Sequence, residues 1–521
     1  MSAIESPPPV AGLRWRLSTM MFLQYAIWGC WAPILFLHLG SLADFTRPGV
    51  NTAGLISWVY MTMAIASMIA PAAGQLADRN FATQRFLAFS HLIGGLLIFW
   101  LFWFDTFWGI FGMLLLHTLL YAPTVGLTNS ITLQHLPKED FGRVRLWGTI
   151  GWIVISWAFS VWLGLADGLL EYMNPEWKAA LVQFREALPQ EYKPKVGHCL
   201  LTAGALSVVL AFFCLLLPHT PPTRSRGNPL AFLSGFKLMA KPSFAVLIVV
   251  AFIVSTELQF YYVLTPGFFN QGGGPFEDKQ LAAALVNDKV AGDGDQQALA
   301  QAQGMIKSGD KNGDSKLSLD ELRDLKTPEA ELVLRHYDEL VKTKGGVALD
   351  QAWVGPVMTF GQIAEVLVLL LVPLALRWIG FRWMIALGIL AWSIRYFIFS
   401  LGTPRELVLA SQCLHGFGFG FFFVGAFLYA DKVATPDTRA SVQSFIIFVT
   451  YGAGMVVSSL IAGPVVEWCQ KDWHYVFLVP AGITLVCSLA FIVFFREEEG
   501  TDSDGIPAGL DSETHDDMER Y

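Results

Sequence analysis

Twelve runs of apolar residues, each long enough to cross a bilayer, constrain this chain more than any other feature. A membrane-spanning helix needs roughly 20 consecutive, mostly apolar residues. Such runs fall at about 17–39, 52–76, 84–104, 107–133, 144–166 and 198–218, and then at about 243–269, 353–376, 381–401, 405–430, 439–466 and 474–495. With 54% hydrophobic and only 15% charged residues, the chain is expected to be an all-α polytopic membrane protein. An even number of spans puts both termini on one side. Arg14, Arg79, Arg143, Arg224, Arg377, Lys432 and Arg496 fall on that side, against chiefly Arg47, Arg405 and Lys471 opposite, so the excess of positive charge places both termini in the cytoplasm.

The same features exclude several functions. No cationic face suits nucleic acid, and much of the net charge of −8 comes from one loop and the C-terminal tail. The six cysteines lie in or beside apolar runs without a C-x-x-C pair, which predicts neither a disulfide framework nor a zinc site. No nucleophile–base pair or phosphate-cradling loop is present, so an enzyme is not expected.

The expected organisation is a cytoplasmic N-terminus (1–16), a six-helix bundle (17–218), a cytoplasmic linker (219–242) and a seventh span (243–269). A periplasmic insertion (270–350), the last five spans (351–496) and a disordered acidic tail (497–521) complete the chain. Two six-helix sets joined by a basic linker imply pseudo-symmetric bundles rocking about a site near the midplane.

Charged residues inside the spans are candidates for that site, since intramembrane charges are costly and mark substrate or ion paths. Arg145 opens the fifth run, with Thr149 one turn deeper and Trp152 about two turns deeper on nearly the same face. Gln362 and Glu365 in the eighth run are three residues apart and share a face. Desolvation there works against the ionised form of Glu365, which suits a group that takes up and releases a proton. Glu257 and Gln259 in the seventh run point to different faces, and His415 and Phe419 lie in the glycine-rich tenth. Arg395 in the ninth is a further buried charge.

Several of these segments carry a family resemblance. Gly74-Gln75-Leu76-Ala77-Asp78-Arg79 resembles the cytoplasmic loop signature of the major facilitator superfamily. Together with Arg145-Leu146-Trp147-Gly148-Thr149-Ile150-Gly151, Glu257-Leu258-Gln259, Gln362-Ile363-Ala364-Glu365 and Ala391-Trp392-Ser393-Ile394-Arg395, it resembles the bacterial nucleoside:proton symporters of that superfamily. The resemblance implies twelve transmembrane helices in two pseudo-symmetric six-helix bundles, an inner-membrane monomer in the lipid bilayer, and nucleoside and proton as its small-molecule partners. It places Arg145, Thr149, Gln259, Gln362, Glu365 and Phe419 at nucleoside-binding positions, and Arg145 and Glu365 in proton coupling. Trp152, Tyr262 and His415 stand at site positions where the family carries Phe, an amide and Tyr; Gly420 replaces an acid. Gly142-Arg143-Val144-Arg145 with Gly148, Gly151 and Trp152 is also similar to the fifth-helix motif of the lactose:proton symporter. That keeps a proton-coupled sugar or oligosaccharide symporter as an alternative, beside a calcium-responsive receptor on a transporter fold. No cofactor is expected for transport.

The insertion contains Asp310-Lys311-Asn312-Gly313-Asp314-Ser315-Lys316-Leu317-Ser318-Leu319-Asp320-Glu321, which fits the 12-residue calcium loop of an EF-hand. Asp310, Asn312, Asp314, the Lys316 carbonyl, Ser318 and Glu321 would hold Ca2+. Leu340–Gln351 repeats the turn pattern without the first carboxylates and reads as a second hand that cannot bind. Thr327-Pro328 is expected to cap and start the helix between them.

Overall fold

A computed structural model describes residues 12–164, 175–189, 193–222, 233, 235–287, 295–310, 316–435 and 438–497. The start of the N-terminal segment, most of the linker, the acidic tail beyond Glu497 and Asn312 and Asp314 of the calcium loop lie outside them.

The apolar runs are helices. In the first half they are α1 (Leu13–Leu39), α2 (Thr52–Ala77), α3 (Thr83–Leu101), α4 (Phe107–His135), α5 (Asp140–Trp162) and the shorter α6 (His198–Cys214). The second half holds α7 (Pro242–Asn270), α8 and α9 within Gln351–Leu401, α10 (Arg405–Val433), α11 (Ser441–Trp468) and α12 (Trp473–Phe494). The chain turns from α8 into α9 at Gly380, whose φ of 68° and ψ of 175° are open to glycine and costly for any side chain. Large apolar side chains such as Leu370, Trp378, Trp468 and Phe494 point outward, as a lipid-facing surface requires. This is the major facilitator fold, and the protein is integral to a membrane.

Among the described residues, three π-helical turns interrupt the second half, at Phe260–Leu264 in α7, Gly418–Val424 in α10 and Phe448–Gly454 in α11. Such turns gather at functional sites, and here they hold Tyr262, Phe419 and Tyr451. No period in the sequence announces them. Helix Pro175–Ala187, between α5 and α6, was likewise not expected from the apolar pattern.

The halves meet at the end that carries the insertion. Trp157 Nε1 of α5 donates to Thr359 Oγ1 of α8 at 3.0 Å. Nearby, α2 and α11 touch main chain to main chain, since a Cβ added to Gly463 would lie 2.7 Å from the Gly54 nitrogen.

The insertion has its own small core, in which Phe276, Leu281, Leu285, Leu317, Leu322 and Val333 pack together. Helix Pro328–Lys344 begins at Thr327, whose hydroxyl accepts from the Ala330 N–H at 3.2 Å. The reading of Leu340–Gln351 as a second hand is corrected: the helix runs on to Lys344, and residues 347–349 then bond to Phe268, Phe269 and Gln271 at the end of α7. The strand partner of Leu317 is instead Phe276, through a reciprocal antiparallel bridge. The sequence pattern failed because that pairing spans forty residues, while the amphipathic helix formed locally. Burial in this core pushes the Tyr337 hydroxyl up to about 12, and its ring stacks on Phe276 with centroids 4.4 Å apart.

Candidate functional site

The site builds from α5 outward. Gly151 lies against the main-chain carbonyl of Phe22 in α1, and a Cβ at Gly148 would meet the Tyr25 ring at 2.6 Å and Arg145 Nη1 at 2.8 Å. The glycines spaced after Arg145 therefore let α5 press onto α1 and leave room for a guanidinium. That group lies 4.1 Å above the Tyr25 ring centroid, a cation–π contact that holds it without neutralising it. Trp152, two turns on, is buried against Gly29 and sits edge-to-face with Trp28, centroids 5.2 Å apart. Thr149 lies between them, half-buried.

Glu365 enters from α8, half-buried, and the Arg145 charge acts on it across the interface between the halves. No N–O contact within 4.0 Å joins the two, so the structure holds them as a separated pair. Tyr451 of α11 is within electrostatic range of Glu365, Arg145 and Tyr25, and Tyr262 of α7 within range of Glu365 and Tyr451. Tyr25 and Tyr451 are thus members of the site that sequence reasoning missed. Tyr25 lies within the opening segment of α1, but nothing in the spacing links it to Arg145; Tyr451 is placed by a π-helical turn.

The amides differ in their setting. Gln362 is half-buried with its Oε1 shielded from solvent and without a hydrogen-bond partner. Gln259 is wholly buried, its Nε2 donating to Ser459 Oγ at 3.1 Å and its backbone N–H to Ser458 Oγ at 3.0 Å, with Oε1 also unpartnered. His415 is buried as well, stacked on Tyr261 (5.0 Å) and Phe419 (6.3 Å), and its Nδ1 accepts from Arg395 Nη1 at 3.2 Å. An arginine only donates, so the imidazole is neutral with its proton on Nε2. Phe419 remains half-buried. The structure therefore brings Arg145, Thr149, Tyr262, Gln362, Glu365 and Phe419 together as partly open residues, and sets Trp152, Gln259 and His415 into the packing behind them.

The calcium ligands are only partly in view. Ser318 Oγ caps helix Leu319–Asp324 by accepting from the Glu321 N–H, and Glu321 Oε2 accepts from Ser318 N at 2.9 Å and Oγ at 2.8 Å. Lys316 Nζ pairs with Glu277 Oε1 at 2.8 Å. Among the described residues no group of three or more His, Cys, Asp or Glu is placed to hold a metal.

The chain is similar to known proteins over nearly its whole length. YegT of Escherichia coli K12 is 26% identical over 93% of this chain and 94% of its own length. The nucleoside permease NupG of the same organism is 24% identical over 96% of this chain and all of its own. A crystal structure of a NupG variant superposes with a TM-score of 0.65 at 23% identity, over 93% of this chain and all of that one, which shows the shared fold. The model of the Nucleoside H+ symporter family matches residues 11–183, 187–287 and 338–500, leaving 288–337 of the insertion outside. With both halves matched, this chain belongs to the nucleoside H+ symporter family.

Proposed function

We propose that this chain imports nucleosides together with protons by alternating access, working as a monomer in a bacterial inner membrane with both termini in the cytoplasm. One observation carries the reading: Arg145 and Glu365 face each other from opposite halves, unpaired, within a ring of tyrosines. The Arg145 guanidinium offers forked donors to ribose hydroxyls, the rings of Phe419 and Tyr451 stack a base, and the unpartnered oxygen of Gln362 receives a base N–H. The halves pack together at the insertion end, so this arrangement is closed on that side. The chain is a transporter, not an enzyme.

The test is uridine uptake into proteoliposomes under an inward proton gradient, with lactose and adenosine as competitors. Gradient-dependent uptake blocked by adenosine alone is expected; block by lactose would replace the reading with a sugar symporter, and ligand binding without flux with a receptor. Gln362→Met, which keeps side-chain length and removes the acceptor, should weaken nucleoside binding about fivefold, the ~1 kcal/mol of one hydrogen bond. Unchanged affinity by calorimetry would take Gln362 out of the site.

A second reading concerns the insertion, where the reciprocal Phe276–Leu317 bridge supports an EF-hand-like pair. The Glu277 N–H donates to Gln280 Oε1 at 2.9 Å, which mirrors the Ser318–Glu321 cap on the other side of the bridge. Only the Asp310–Glu321 loop keeps the calcium carboxylates, so one ion is expected, bound at roughly 10⁻⁴–10⁻³ M as in extracellular modules. Millimolar calcium should raise the unfolding temperature of the protein, and Glu321→Gln should remove that rise. A wild-type protein indifferent to calcium would discard the site.

A further inference from the structure

Two opposite charges lie buried in the second half without neutralising each other. Arg395 of α9 is fully enclosed and surrounded by aromatic rings, with its guanidinium carbon 4.0 Å from the Tyr261 centroid and 5.1 Å from those of Trp392 and Tyr396. Its Nη1 bonds to His415 and the guanidinium also acts on the Tyr396 hydroxyl, while Nε and Nη2 have no hydrogen-bond partner. Glu257 of α7 is equally inaccessible: its Oε1 accepts from the Thr256 hydroxyl at 3.2 Å and its Oε2 has no partner. Between them stands Tyr396, whose hydroxyl donates to the Glu257 main-chain carbonyl at 2.8 Å. Both charges act on that tyrosine, yet no N–O contact within 4.0 Å joins them.

A bare carboxylate so enclosed is strongly disfavoured, and a group in that position takes up a proton instead. The helix is also broken where Glu257 sits. The α-helical part of α7 ends at Ser255, Thr256 and Glu257 form a turn, and the π-helical stretch begins at Phe260. A tightened turn inside a span often marks a hinge, and a rotation there would move Glu257 relative to Arg395. The other titratable groups within range are Cys487 of α12, Tyr261 of α7, Tyr396 of α9 and His415 of α10, with Glu365 of α8 and Tyr451 of α11 beyond Tyr261 and Tyr262. None supplies a positive charge other than Arg395.

We propose that Glu257 and Arg395 are a second proton-coupled pair, with Glu257 protonated in the arrangement seen here and giving up its proton when the α7 hinge brings its carboxylate onto Arg395. The proton enters from the outer side with the nucleoside and leaves to the inner side, and the ion pair formed replaces the O–H bond broken. This rests on the nucleoside:proton reading and adds a second proton to each cycle.

The experiment is the reversal potential of uridine flux in proteoliposomes of the full chain, which gives the proton-to-nucleoside ratio. Two protons are expected for the wild type and one for Glu257→Gln, with uptake still concentrative. An equal ratio in both overturns the second pair while leaving the symporter intact; a wild type without proton-driven uptake overturns the symporter itself. Should Glu257→Gln fail to fold, infrared difference spectra of Glu365→Gln between acid and alkaline pH decide instead. A buried-carboxyl band that still titrates is expected there, and its absence overturns the proposal.

Discussion

Replacing Glu365 by Gln should abolish uphill nucleoside accumulation while leaving exchange of nucleoside across the membrane. The amide keeps the shape of the protonated acid and can never bear a charge, so the carrier is fixed in its loaded electrostatic form. With Glu365 neutral, Arg145 keeps its stack on Tyr25 and remains free to hold ribose, and the loaded carrier can still cross in both directions. The empty return is lost, because it depends on Glu365 ionising and being drawn to Arg145 across a gap that the structure shows unbridged. Each pH unit of gradient is worth 1.36 kcal/mol per coupled proton, about tenfold in concentration. The variant should therefore fall from such ratios to about equal concentrations inside and out. Accumulation retained at the wild-type level would remove Glu365 from coupling. Arg145→Gln should do the reverse damage, since it removes both the partner for the empty carrier and the donors for ribose, so that exchange fails too.

Why these two residues stood out in the sequence, and their neighbours did not, is a matter of range. A charge inside an apolar run is costly wherever the chain folds, so Arg145, Glu365 and Arg395 were visible one residue at a time. The twelve runs were visible for the same reason, each set by the thickness of a bilayer. Tyr25 becomes part of the site only because Gly148 and Gly151 let α5 settle on α1, a contact between segments more than a hundred residues apart. Tyr451 sits in a π-helical turn, where a reading at 3.6 residues per turn loses the face that a side chain occupies; Tyr262, in another such turn, was marked by the family resemblance alone. Gln259 and His415 share the residue types of ligand contacts, yet their bonds to Ser459 and Arg395 bury them. The Glu257–Arg395 relation was legible only as two separate charges, because the tyrosine that divides them is identified by distance and not by spacing.

Placing a side chain at Gly463 should have a large effect on transport although it lies outside the polar site. Helices α2 and α11 come from different halves and touch through Gly54 and Gly463, with no flexible side chain between them to yield. Gly463→Leu must push the helices apart or shift the main chain, and overpacking of this kind costs about 1–3 kcal/mol. The cost falls only on the arrangement closed at the insertion end, because the contact is unmade when that end opens. The equilibrium between the two arrangements then shifts by about fivefold to 150-fold, and uptake should fall in proportion as the closed stage becomes scarce. Ser160 of α5 reports the shift directly, being buried opposite Gly355 of α8 in the same closed interface. A Ser160→Cys label site should react slowly with an impermeant maleimide from the insertion side in the otherwise unchanged chain, and much faster when combined with Gly463→Leu. Gly482→Leu in α12, where an added Cβ meets nothing within 4 Å, controls for bulk added to a membrane helix and should leave both readouts alone. Wild-type uptake and slow labelling in Gly463→Leu would mean that the two halves do not part along α2 and α11, and the moving interface would have to be sought along α5 and α8 alone.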